Sequence, residues 1–189
     1  MKTVQMSADE VRQRTARFDG LQAMSSLKDN PVVPQAAKDI FLARKIMPVL
    51  LEQTANAFGS VAAIYGAAGL TMNISVCPPG QGPGLHAHHK TFETFFVLEG
   101  RFEFYVNDDG GQKVELGQWD TFSVPPGVCR GFRNTDTKDS VLLTVITGGV
   151  HDRNDISLPP SVGARIDAYG PGVLDEVKNK MGLTFDAGA

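Results

Sequence analysis

The segment GLHAHHKTFETFFVLEG, residues 84–100, holds three of the chain's four histidines, His86, His88 and His89, and a glutamate, Glu93. Imidazole nitrogen and carboxylate oxygen are donors for divalent ions. Side chains alternate between the faces of an extended strand, so His86 and His88 project together while His89 projects away. Glu93 begins the next apolar run, where antiparallel pairing can return it to the two imidazoles. Two imidazoles and one carboxylate on one face make the donor set of a facial triad. That set suits non-haem Fe(II), and Mn(II), Ni(II), Zn(II) and Cu(II) are also compatible by ligand type. Histidine pairs on strands also occur as solvent-facing or hydrogen-bonded groups. The glutamate at this distance, followed by a turn at Gly100, is what favours a metal here.

These residues need a framework to position them. From about residue 60 the chain breaks into short runs rich in β-branched and aromatic residues: SVAAIYG, LTMNISVC, FETFFVLEG, RFEFYV, QKVELG, DTFSV, VCRGFRN and SVLLTVITG. Gly, Pro, Asn and Asp separate them, and NDDGG between RFEFYV and QKVELG reads as a hairpin turn. Close spacing without intervening helices predicts an antiparallel sandwich or barrel over residues 60–148. Residues 1–59 read as a helical extension. Ser7 and Glu10 have capping-box spacing, and PQAAKDIFLARKIM carries apolar residues at helical intervals up to Pro48. Residues 149–189 read as a Pro/Gly-rich extension with one short helix around Val173 to Met181, packing on the barrel or on a partner subunit.

At 189 residues the chain is sized for one well-cored domain with additions. A net charge of −3, with no clustered basic run, argues against a nucleic-acid partner. No apolar run is long enough to span a bilayer, and the first residues lack a signal-peptide core, so a cytoplasmic location is expected. Cys77 and Cys129 lie in strand-like runs and are expected as buried, reduced thiols.

The spacing around the histidines is similar to the first motif of the cupin superfamily: Gly80, five residues, His86-x-His88, four residues, Glu93, six residues, Gly100. The second stretch, WDTFSVPPGVCRGFRN, resembles the second cupin motif through Pro125-x-Gly127 and Asn134, with Trp119 in the slot of the initial glycine. The slot of the last metal-ligand histidine holds Arg130, with the intervals on both sides intact. The resemblance implies a jelly-roll β-barrel of quercetin-dioxygenase-like type over about residues 60–148, a metal held by His86, His88 and Glu93, and a homodimer.

Arginine offers only donors and cannot ligate a metal in the ordinary way. Two arrangements follow. Arg130 can anchor an anionic or enolic substrate oxygen beside a metal on three ligands, as a catalytic residue. Alternatively it turns to Glu93 and makes an internal ion pair that replaces the metal. Phe95 and Val97, on Glu93's face, and Phe132, on Arg130's face, are expected to line a substrate pocket. His151 follows the last long strand and could reach the barrel mouth. The leading expectation is a metal-dependent, dioxygenase-like enzyme for a small phenolic, diketone or carboxylate substrate, with Fe(II) favoured. A non-catalytic ligand-binding or sensing protein, and a non-redox metal-assisted isomerase, lyase or hydrolase, are the alternatives.

Overall fold

The computed structural model of the chain describes residues 1–24, 30–52, 61–66, 68–149 and 153–189. Its strands are β1 (Lys45–Leu51), β2 (Ile64–Tyr65), β3 (Leu70–Cys77), β4 (Ala87–His88), β5 (Phe92–Glu99), β6 (Phe102–Val106), β7 (Gln112–Leu116), β8 (Thr121–Val124), β9 (Arg130–Asn134), β10 (Ser140–Thr147) and β11 (Ile156–Ser157). They form a six-stranded sheet in the order β2-β1-β3-β10-β5-β8, a three-stranded sheet β7-β6-β9 and a two-stranded pair β11-β4. All pairings are antiparallel except the short β1–β2 contact. The architecture is mainly β and of the jelly-roll kind, and each of the eight apolar runs forms a strand.

Alternation builds the core. On β10, Ser140, Leu142, Thr144 and Ile146 are buried, while the residues between them are half-buried. Glu93, Phe95 and Val97 occupy the corresponding face of β5. Phe95, Phe104 and Phe132 meet with ring centroids 4.8–5.5 Å apart, and Phe102 packs edge-on against Phe132 at 5.7 Å. Such offset and edge-to-face contacts add to what area burial alone supplies. Cys77 and Cys129 are free and buried. Burial pushes the Cys77 thiol up to about 12, and burial with Asp108 alongside raises Cys129 to about 11.

The expected helical start is corrected in part. Ser7 does cap a helix α1 (Ala8–Gln13), with reciprocal bonds to Glu10. The second helical segment shrinks to one turn, α2 (Gln35–Lys38), and Lys45–Leu51 is a strand that pairs with β3. The apolar run IMPVLL satisfies a half-buried strand as well as a helix, and pairing with the long β3 decides between them. Pro48, read as a helix stop, sits at a β-bulge where the register shifts between Pro48 and Leu50. The main sheet therefore begins before residue 60.

The C-terminal segment holds α4 (Val173–Met181), as expected, and also α3 (Pro160–Asp167). Its proline start and internal glycine disguised α3, although proline is well suited to a first helical turn. A second apolar core joins the segments outside the barrel: Ala37 and Phe41 from the N-terminal side pack with Leu158, Ile166, Val177 and Met181.

Trp119, in the glycine slot of the second motif, retains a glycine-like backbone, with φ +74°. A left-handed conformation at a residue with a Cβ costs about 1–2 kcal/mol. The indole is 65% exposed and meets Phe96 at a ring distance of 6.0 Å, so it recovers little through burial. Trp119→Gly is expected to stabilise the chain by roughly 1 kcal/mol. Urea unfolding measures this, and a loss of stability would locate the main role of Trp119 in its side chain.

Candidate metal centre

Three elements carry the cluster. His86 lies in an isolated bridge with Arg130, in which each backbone N–H donates to the other's carbonyl at 2.9 Å. His88 is on β4, opposite Ile156 of β11. Glu93 is near the start of β5, flanked by Ile146 and Val124. The turn that closes β5 needs Gly100, with φ +80°, because a Cβ there would lie 2.0 Å from Ser140 Oγ. Asn134, the last residue of the second motif, is structural: its amide donates to the Cys77 and Lys138 carbonyls and accepts from Ser140 Oγ.

The expected ligands come together. One donor atom from each of His86, His88 and Glu93 lies within 4.8 Å of the others. His86 Nε2 and His88 Nε2 approach Glu93 Oε2 at 3.5 and 3.6 Å. The opposite ring nitrogens are engaged elsewhere. His86 Nδ1 is 2.9 Å from the Gly84 carbonyl, and His88 Nδ1 is 2.9 Å from Thr91 Oγ1 and 3.1 Å from Asp155 Oδ2. With Nδ1 donating to these acceptors, the neutral form of each ring would present an Nε2 lone pair to the cluster. An imidazole braced by a carbonyl or carboxylate behind it is the usual support of a metal-ligating histidine. His89 is exposed and points elsewhere.

Asp155 was not legible as part of the site. It is fully buried, accepts from the Lys90 N–H at 2.8 Å and from Thr91 Oγ1 at 2.5 Å, and backs His88. It belongs to a 3₁₀ turn, Arg153–Asp155, in the C-terminal extension, and the pairing of β11 with β4 delivers it. Its sequence context, HDRNDIS, offers two aspartates, Asp152 and Asp155, with nothing to single one out.

Arg130 has no exposed surface. Its Nη1 donates to the Val128 carbonyl at 2.9 Å, and its Nε sits 3.2 Å from Glu93 Oε2. This contact is a close approach of charges without hydrogen-bond alignment: Glu93 Oε2, Arg130 Nε and Arg130 Nη2 are buried with no hydrogen-bond partner. Burial alone would raise the Glu93 carboxyl, but His88, His86 and Arg130 outweigh it and hold it far below the usual carboxylate range. Burial lowers Arg130, against the pull of Glu93 and Asp155, and a guanidinium stays charged throughout.

The donor set therefore fits a divalent ion. Two imidazole Nε2 atoms and an ionised carboxylate converge, and the carboxylate oxygen at their centre is buried without a hydrogen-bond donor. Arg130 occupies the side of Glu93 where it offsets charge.

A cavity of about 120 Å³ adjoins the cluster and is lined by His86, His88, Glu93 and Phe132 among others. Phe132 is where expected. Phe95 and Val97 are not among the lining residues: both are fully buried in the barrel core, where the Phe95 ring is claimed by Phe104 and Phe132. Arg130 does not line the cavity either, because its guanidinium is drawn to the Val128 carbonyl and Glu93. Of the two expected arrangements of Arg130, the approach to Glu93 is the one present in the structure. Arg133 is exposed and pairs with Glu103 at 2.9 Å. His151 lies outside the described residues.

Residues 73–146 match the family described as the cupin domain. Over 69 residues the chain is 33% identical to an oxalate-binding protein of Thermotoga maritima, covering 36% of this chain and 54% of that one. The chain thus spans about half the length of this curated relative. Among solved structures, a predicted oxalate decarboxylase from Thermotoga maritima is 29% identical with a TM-score of 0.38, covering 41% of this chain and 65% of that one. The cupin domain of Schizosaccharomyces pombe Cnp3 is 15% identical with a TM-score of 0.44, covering 55% and 64%. Among the described residues, no helix is long and apolar enough to cross a membrane.

Proposed function

Because the chain belongs to the cupin superfamily, whose domain it carries at residues 73–146, we propose that His86, His88 and Glu93 hold a divalent metal, Fe(II) by preference, in a dioxygenase-like enzyme for a small organic substrate. The observation that carries this reading is the convergence of His86 Nε2 and His88 Nε2 on Glu93 Oε2 at 3.5 and 3.6 Å. Two histidines and one carboxylate with open positions are the donor set of non-haem Fe(II) oxygenases. Bound there, the ion would supply Lewis acidity and one-electron chemistry.

The chain's own residues set the conditions. The Gly84 carbonyl and Asp155 hold the orientations of the two rings. Arg130 Nε approaches Glu93 Oε2 at 3.2 Å and acts as a positioning residue through that carboxylate. Phe132 and the aliphatic side chains of the cavity restrict water near the cluster. A homodimer and a cytoplasmic location belong to the same reading. The apolar outer face of the main sheet, with Met72, Ile74, Leu143, Val145 and Phe96 half-buried, supports the dimer.

The Arg130–Glu93 contact favours a second reading, a cupin that binds an acidic ligand without catalysis. Oxygen-electrode assays of Fe(II)-reconstituted protein, with small diketone, phenolic and carboxylate substrates, separate the two. The expected result is O₂ uptake matched by substrate loss and abolished in Glu93→Ala. Turnover that persists under anaerobic conditions assigns a lyase, isomerase or hydrolase instead. Ligand binding without turnover assigns the binding protein.

A further inference from the structure

The cavity beside the cluster has two kinds of wall. Thr71, Asn73 and Ser75 alternate onto one face of β3, and Thr144 of β10 lies opposite Asn73. Thr71, Ser75 and Thr144 are at most 5% exposed. None of these four side chains makes a hydrogen bond to a described residue. Hydroxyl and amide groups that face a cavity without protein partners are ordinarily matched by water or by ligand. The second wall comes from outside the barrel: Met24, Phe41 and Leu42 from the N-terminal side, and Leu158, Met181 and Leu183 from the C-terminal side. Among the described residues no lysine or arginine lines the cavity, and its titratable lining groups are His86, His88 and Glu93.

We infer that this site takes a small molecule with one oxygen-donor head and an uncharged, mainly aliphatic body, and discriminates against dianions such as oxalate. The inference rests on the proposed metal site and names its ligand class. Charge sets the first limit. A divalent ion with Glu93, Asp155 and Arg130 ionised leaves a single positive charge, which one carboxylate or enolate neutralises. A second carboxylate would leave the site with a net negative charge and no lysine or arginine among the described lining residues to pair it, a cost that outweighs about a ten-fold gain in affinity from any other contact.

Size sets the second limit. An engineered apolar cavity of about 150 Å³ holds benzene. A cavity of about 120 Å³ therefore suits a body about the size of a single small ring or branched alkyl group. The Asn73 amide and the Thr144 hydroxyl, adjacent across the β3–β10 pairing, are placed to bond a hydroxyl or carbonyl on the ligand head.

The test loads wild-type protein with Co(II) and titrates it with 2-hydroxy-3-methylbutanoate, malate and oxalate, following the Co(II) visible spectrum and calorimetry. The first two share a 2-hydroxycarboxylate head and differ in an isopropyl against a carboxymethyl tail. The branched acid is expected to bind at least about ten-fold more tightly than malate. Leu42→Arg, at a half-buried lining position, should shift that ratio towards malate, and Asn73→Leu should weaken the branched acid. Co(II) uptake with malate or oxalate bound as tightly as the branched acid overturns the inference alone. A wild-type protein that takes up no Co(II) overturns the metal site and the inference with it.

Discussion

Arg130→Met lowers the stability of the metal-free protein by about 3–5 kcal/mol, and a saturating divalent ion restores a large part of the loss. The guanidinium has no exposed surface and lies 3.2 Å from Glu93 Oε2, itself buried with no hydrogen-bond donor. Methionine fills similar volume but leaves the Glu93 charge uncompensated, and an unpaired buried carboxylate is among the costliest single defects in a core. An ion on His86, His88 and Glu93 supplies the missing positive charge. Urea unfolding of wild type and variant, each with chelator and with Mn(II), reads the effect. A variant as stable as wild type in chelator would show that Arg130 and Glu93 are not energetically coupled. Arg130→Met with Glu93→Gln should recover most of the stability without metal, because both charges are then removed together.

Asp155→Asn is expected to weaken divalent-metal binding by about 10–100-fold with little change in fold. Asparagine is isosteric, and its carbonyl can still accept from the Lys90 N–H. The amide nitrogen turned to His88 Nδ1 is a donor, however, and favours the tautomer with its proton on Nε2. The lone pair that His88 presents to the cluster is then lost. Competition titration with a chromophoric chelator measures the affinity. Thr91→Val separates tautomer control from packing: it removes the hydroxyl 2.5 Å from Asp155 but keeps the carboxylate behind His88, so its effect should be the smaller. Equal loss in both variants would assign Asp155 a packing role only.

The legible parts of the site are those encoded locally. His86 and His88 are two residues apart in extended chain and share a face, and Glu93 lies near the start of the next strand; the expected pairing between them is not present among the described residues, since β4 pairs with β11 and β5 with β10 and β8. Gly100 and Asn134 act where their spacing placed them, at a tight turn and a saturated polar knot. Arg130 was visible as a residue out of pattern, and one of its two foreseen arrangements, the approach to Glu93, is present. Nothing in a single sequence separates a guanidinium aimed into a cavity from one held by a backbone carbonyl two residues earlier.

The parts that were not legible depend on contacts far apart in the chain. Asp155 reaches His88 across 67 positions, through a two-residue strand with no pattern of its own. Phe95 and Val97 share a face with Glu93, but alternation does not say where the cavity stops and the core begins. Phe104 and Phe132 occupy that space. The apolar wall built by Phe41, Leu158 and Met181 required knowing that both ends of the chain fold onto the same side of the barrel. Lys45–Leu51 failed for a related reason: its run of apolar residues fits two periods, and only β3 selects one.

The central claim is that three ligands hold a metal although the fourth position is a cation. Elemental analysis of protein purified without chelator or metal-affinity tag tests it most directly, in wild type and in Arg130→His. The account predicts stoichiometric divalent metal in the wild type, lost in His88→Ala, and retained in Arg130→His. Metal that appears only in Arg130→His, with none in the wild type, would contradict it and leave the Arg130–Glu93 pair as a replacement for the ion.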